Sequence, residues 1–234
     1  MNTVSLVSFD MQNLVFKDNL KLKGYFLIKS KNFEKFEPLL TRKKEFNQNL
    51  KNISNVLEFG TSDEKIKILE TLNDTDNPEI LEKIILKLDD EDIQVRGEAF
   101  SSLLLNKKKI SNYLINNLNA ANKNIRGFVS LVLANRNETS AIPEIIKLVK
   151  DERSMVRSCA LGALGYLKAQ EAQNIFLEAL SDSNIEVRKS ALQAIIDLKI
   201  IISEDEINKK FKERDSEIEK MISLIKKISG PEGI

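Results

Sequence analysis

From Ala141 to Ile195 the chain reads AIPEIIKLVKDERSMVRSCALGALGYLKAQEAQNIFLEALSDSNIEVRKSALQAI, and one phrase is written in it twice. An apolar stretch ends in a short charged turn, a Val-Arg pair follows, and a run of small and aliphatic residues closes the unit. Searching outward for the same phrase finds Val95-Arg96 and Ile125-Arg126 before Val156-Arg157 and Val187-Arg188, at spacings of 30, 31 and 31 residues. Seven residues before each β-branched residue stands an apolar one (Leu88, Leu118, Val149, Leu180), and four after it a residue fit for burial (Ala99, Val129, Ala160, Ala191).

Each unit therefore reads as a helix, a turn and a second helix. Asp89-Asp90-Glu91 and Ser181-Asp182-Ser183 supply polar turns, and Pro78 and Pro143 sit where the first turn of a leading helix accepts proline. One such pair cannot bury its apolar stripe alone, so successive pairs must stack on a shared core. A weaker unit precedes them, with Ile53 to Phe59 and Ile66 to Leu72 as its helices. Its second helix lacks the arginine, and Glu70 falls near a core position. The expected fold is all-α: a right-handed α-α superhelix of about five helical pairs with terminal helical caps.

Eight arginines stand against 28 lysines, yet four of the eight occupy the repeated position: Arg96, Arg126, Arg157 and Arg188. Six residues earlier stand Asp90, Ala120, Asp151 and Asp182. A planar guanidinium bonds a carboxylate with two parallel hydrogen bonds, which lysine cannot do. A row of phosphate-binding arginines is one reading; a structural Asp-Arg ladder tying the turns together is preferred, because aspartates recur at matched spacing.

These residues, above all Ala141 to Ile195, resemble HEAT repeats, and most closely the short HEAT-like class named after phycobilisome lyases. The resemblance covers roughly Asn77 to Leu198, with weaker extension back to about Lys51. It implies a binding scaffold and leaves three enzyme classes to test. The diiron hydroxylases of this architecture use repeated His-Glu ligands, and the chain has no histidine. HEAT-like alkylpurine glycosylases use a basic concave face with tryptophan, which is absent here. Phycobilin lyases present a chromophore to a partner cysteine, and composition does not separate them from scaffolds.

No histidine also removes Ser-His and Cys-His catalysis. Gly97, Gly127, Gly162 and Gly165 fall inside expected helices, not in a phosphate loop between strand and helix. The one cysteine, Cys159, excludes a disulfide framework and Cys-rich zinc sites and fits a reducing, cytoplasmic setting. Arg157 two residues away would lower its pKa, although a small structural residue is the simpler reading. With 36 basic against 35 acidic residues there is no global field for nucleic acid. No segment has the roughly 20 apolar residues of a membrane span. No enzyme activity, metal or cofactor is expected.

Counting the β-branched residue of each second helix as zero, offsets 0, 4, 7, 8 and 11 face the core, while 2, 6 and 9 point outward. The outward set is Gly97, Ser101, Leu104; Gly127, Leu131, Ala134; Ser158, Gly162, Gly165; and Lys189, Gln193, Ile196. Of these, Ser101, Leu104, Leu131, Ala134, Ser158, Lys189 and Gln193 are the candidate lining of a concave, mildly apolar groove suited to an amphipathic helix or extended peptide. Tight packing between repeats explains the same small residues, and the two readings carry equal weight.

Three segments follow. Residues 1–50 form a basic N-terminal part, with nine Lys plus Arg against five Asp plus Glu. Alternation through Leu20, Leu22, Phe26 and Ile28 is compatible with a small β element, and Phe33 to Leu40 and Lys43 to Phe59 read as helices. Residues 51–198 hold the repeats. Residues 199–234 hold an amphipathic helix over Glu204 to Ile228 whose apolar positions Phe211, Ile218 and Ile225 recur every seven residues, as in a coiled coil. A cap on the last repeat is preferred over a helix that pairs with a partner. The functional expectation is a scaffold or adaptor for a protein or peptide. An accessory lyase of the phycobilisome type is the alternative, and nucleic-acid binding through the basic N-terminal segment a weaker one. Oligomeric state is left open.

Overall fold

The computed structural model describes residues 37–211 and 215–229. Among them are helices and turns and no strand. The chain divides into two units, Met1–Leu50 and Lys51–Ile234, and the second holds all the repeats. The alternation from Leu20 to Ile28 lies outside the described residues. Where a break is expected between Leu40 and Lys43, the described residues form one continuous helix, α1 (Glu37–Phe59). Nothing between Leu40 and Lys43 can break it, since that stretch has neither glycine nor proline.

The remaining helices alternate short and long. They are α2 (Ser62–Glu70), α3 (Pro78–Leu86), α4 (Ile93–Leu105), α5 (Ser111–Asn116), α6 (Lys123–Asn135), α7 (Ile142–Leu148), α8 (Ser154–Tyr166), α9 (Gln173–Ala179), α10 (Ile185–Asp197), α11 (Glu204–Lys210) and α12 (Ser216–Ser229). The second helix of each pair starts at residue 62, 93, 123, 154, 185 or 216, so the register of 31 residues runs the length of the described chain with one step of 30. Pro78 and Pro143 stand in the first turns of α3 and α7, where a missing amide hydrogen costs nothing.

Local chemistry sets these boundaries. Asn122 and Asn184 accept amide hydrogens two and three residues on, which caps α6 and α10, and Asp92 caps α4 in a similar way. The second helices end on left-handed residues, Asn137, Lys168 and Lys199, again 31 apart. After each, an amide reaches back across the helix end, as from Ala169 N to Leu164 O at 3.0 Å and Ile200 N to Ile195 O at 2.9 Å. The step of 30 arises where this cap is missing. Helix α4 stops at an extended Asn106, and Arg136 instead donates to the freed carbonyls of Leu103, Leu104 and Asn106.

The core follows the repeat. Val95, Ile125, Val156 and Val187 are buried, as are Ala99, Val129, Ala160 and Ala191 four residues later. Leu88, Leu118 and Leu180 are buried seven residues earlier; in the α7 unit Leu148 takes this place and Val149 is half-buried.

Both end pairs keep the register while changing the chemistry. At the C-terminal end Phe211, Ile218, Ile222 and Ile225 are buried at the places of Leu180, Val187, Ala191 and Ala194. Asp215 caps α12 by accepting from Glu217 and Ile218, as Asn184 does for α10. The heptad-like spacing of Phe211, Ile218 and Ile225 is thus the repeat's own offset of seven, not a coiled-coil seam. Places that hold the core residues Leu192 and Ile195 in α10 become Ser223 and Lys226, both exposed. At the N-terminal end Glu70, expected near the core, is exposed.

Candidate functional site

Two surfaces follow from this packing: the line of turns that joins each pair, and the outer strip of the second helices.

In the turns the arginines bond differently from the expectation. Each guanidinium does reach the residue six positions back, but it donates to that residue's backbone carbonyl, as from Arg96 to Asp90 O at 2.8 Å and from Arg126 to Ala120 O at 2.9 Å. Arg157 and Arg188 repeat this with Asp151 O and Asp182 O. A carbonyl serves whatever the side chain, which is why Ala120 can stand in the row. Carboxylate pairing runs forward to the next turn: Arg126 donates two bonds to Asp151 at 2.7 and 3.0 Å, and Arg157 two to Asp182 at 2.8 Å each. The partners are 25 residues apart. Lys65 lies at that distance before Asp90 and bonds it at 3.0 Å, so the first unit keeps the link with lysine. At the turn with Ala120 no carboxylate is offered to Arg96, and Asp89 accepts from Asn122 and Asn124 instead.

The aspartates serve two neighbours at once. Asp151 and Asp182 also accept the amides of Arg153 and Asn184. The Arg157 bonds hold the Asp182 carboxyl below its ordinary range. Burial pulls Asp151 the other way, but the bonds from Arg126 and Arg153 outweigh it and its pKa is lowered as well.

The second helices lie side by side, α6 against α8 and α8 against α10. This crowding changes the groove assignment. Ala134 is fully buried and lines nothing exposed, and Gly127 and Gly165 are buried too. A Cβ on Gly127 would stand 2.8 Å from Met155 Sδ, and one on Gly165 2.9 Å from Ala194 Cβ. Helical phase places offset nine opposite the core, but a second helix has a neighbour on each flank and only a narrow band remains open. Ser101, Leu104 and Leu131 are half-buried. Ser158 bonds Ser190 across to α10 at 2.8 Å, and Lys189 is held by Asp215 and Glu217 at the start of α12. Of the seven candidates only Gln193 is exposed.

The open position is offset ten, held by Leu105, Asn135, Tyr166 and Asp197. Leu105 is 61% exposed and Tyr166 59%. Continuing the helical step of four from offsets two and six would have found them. Cys159 packs on Met155, and burial raises its thiol to about 11, against the lowering expected from Arg157. Among the described residues no group of His, Cys, Asp and Glu is placed to hold a metal, and no helix is long and apolar enough to cross a membrane.

Comparison with family models finds the same repeat in part of the chain. Residues 111–196 match the family model described as HEAT repeats, and residues 67–96 one described as a HEAT repeat associated with sister chromatid cohesion. No curated protein sequence matches the chain. Among solved structures, a designed armadillo repeat protein aligns over 77% of this chain and 100% of its own at 15% identity, with a TM-score of 0.47. Another, in complex with the peptide (KR)4, aligns over 80% and 94% at 16% identity with a TM-score of 0.45. A protein described by TOG-tubulin binding specificity covers 82% and 88% at 16% identity with a TM-score of 0.44. The narrower likeness to phycobilisome-lyase repeats gains no support from these matches. The helical pairs of residues 111–196 are thus similar in sequence to HEAT repeats.

Proposed function

We propose that this protein is a non-enzymatic adaptor that binds an amphipathic helix or extended peptide along the open strip of its second helices. The observation that carries the reading is the exposure of Leu105 and Tyr166 at one register position of α4 and α8, with the half-buried Leu131 on the intervening helix α6. Large apolar side chains repeated at a fixed place on a rigid surface are what a partner's apolar face docks against. Of the small residues around them, Gly127, Ala134 and Gly165 belong to helix packing, while Gly97 and Gly162 stay open. A cytoplasmic setting is part of the reading, consistent with a single, half-buried thiol.

Affinity purification from native lysate with mass spectrometry tests it, comparing wild type with Tyr166→Glu and Leu131→Glu. A protein retained by wild type and lost in both variants, with circular dichroism unchanged, supports the strip as the binding face. Equal retention by folded variants removes it.

A further inference from the structure

The strip leaves unexplained the most exposed large apolar side chains of the described chain. Phe59 is 74% exposed and Ile93 72%, and neither lies on the strip. Phe59 ends α1 beside the first turn, and Ile93 opens α4 just after the second. The two turns are tied to each other: Lys65 bonds Asp90 at 3.0 Å and Lys83 bonds Glu58 at 2.9 Å. Phe59 and Ile93 therefore stand one repeat apart on the same edge.

Their positions in the register show why they are free. Phe59 occupies the place that Asp90, Asp151 and Asp182 hold in later turns. Those aspartates bond a cation of the preceding second helix, Lys65, Arg126 or Arg157. No repeat of the 31-residue register precedes α2 among the described residues, so position 59 carries no such duty. At the place of Ile93 the other second helices begin with Ser62, Lys123, Ser154, Ile185 and Ser216, and exposed isoleucine occurs only in α4.

The charge around the pair has one sign. In residues 58–64 and 87–94 every exposed ionisable side chain is acidic: Glu58, Asp63, Glu64, Asp89 and Glu91. Lys65 and Lys87 are mostly covered and spent on Asp90. The third and fourth turns expose the cations Lys123, Lys150 and Arg153, and the exposed acids of the later turns, Glu152, Glu186, Asp215 and Glu217, lie against Arg153 or Lys189. An apolar pair rimmed by carboxylates matches a ligand with apolar side chains set among cations.

We infer that the edge formed by the first two turns is a second docking surface, separate from the strip, whose occupant is a short cationic segment of a partner protein with apolar residues that cover Phe59 and Ile93. The carboxylates speed and orient its arrival, and the apolar contact holds it.

The test is fluorescence anisotropy on the full-length protein with a labelled leucine-lysine helical peptide, LKKLLKLLKKLLKL, and its counterpart with glutamate replacing lysine. The lysine peptide binds, more weakly as salt rises, and the glutamate peptide does not. Phe59→Ser/Ile93→Ser and Asp63→Lys/Glu91→Lys each weaken binding by about tenfold or more. All four positions are exposed, so the fold survives. Ile201→Ser, at an exposed apolar residue on neither surface, leaves affinity unchanged, which ties the loss to this edge. Failure of the lysine peptide to bind, undiminished affinity in the two edge variants, or an equal loss in Ile201→Ser overturns the inference. So does a concentration-dependent dimer in sedimentation that Phe59→Ser/Ile93→Ser abolishes, since the occupant would then be a second copy.

Discussion

Replacing Arg157 by alanine removes one side chain from three segments at once. Its guanidinium donates two bonds to the Asp182 carboxylate in the next unit and two more to the carbonyls of Asp151 and Glu152 in its own turn. A hydrogen bond to a charged partner contributes about 1.5–3 kcal/mol, and removing one member of a buried pair leaves the other charge uncompensated. Both side chains of this pair are 15% exposed, so water relieves part of that loss. The expected destabilisation is about 2–3 kcal/mol, or roughly 5–10 °C in Tm for a domain of this size. Arg96 is the internal control, because it makes the two carbonyl bonds and meets no carboxylate. Arg96→Ala should cost about 1 kcal/mol. The assay is urea unfolding followed by circular dichroism, with a double-mutant cycle on Arg157→Ala and Asp182→Ala whose coupling energy should reach about 1–2 kcal/mol. Equal losses for Arg96→Ala and Arg157→Ala, or a coupling near zero, would refute the forward link between repeats.

Three further outcomes follow from the same geometry. Gly165→Ala should destabilise by about 1–3 kcal/mol because its Cβ would stand 2.9 Å from Ala194 Cβ, while Gly162→Ala, with nothing within 4 Å, should stabilise by about 1 kcal/mol, both read by thermal melts. Lys168→Gly should raise stability by about 0.5–1 kcal/mol, since Lys168 sits at φ 53° where a side chain strains the backbone; a lower melting temperature would contradict this. Asp90, Asp151 and Asp182 all have lowered native pKa values, so their contribution is complete above the unfolded-state value of about 4 and is lost as pH falls through the native ones. An acid titration monitored by circular dichroism should show this limb, and Asp182→Asn should shrink it.

The fold was legible because stacking forces every unit to repeat the same buried positions. Four Val-Arg or Ile-Arg pairs at near-constant spacing specify helix, turn and helix before any coordinate is known, and the capping residues at the turns agree with them. Reading by those pairs left the first unit looking weak and hid the last. The first keeps the link with Lys65 in place of arginine, and the last keeps Phe211, Ile218, Ile222 and Ile225 without any arginine, so its register looked like a heptad.

The candidate site was far less legible, because helical phase describes one helix and burial depends on two. Ala134 and Gly165 share an offset that points away from the core of an isolated pair, yet both are covered when the next second helix packs alongside. The partners of the arginines were hidden for a related reason: a carbonyl acceptor leaves no trace in residue type, and the carboxylate acceptor lies one repeat on. Side-chain periodicity was enough for the secondary structure, the stacking and the core, since these repeat through every unit. Which small residues pack, which aspartate each arginine meets, and that Leu105, Tyr166, Phe59 and Ile93 stay open were decided only by neighbouring repeats brought together in space.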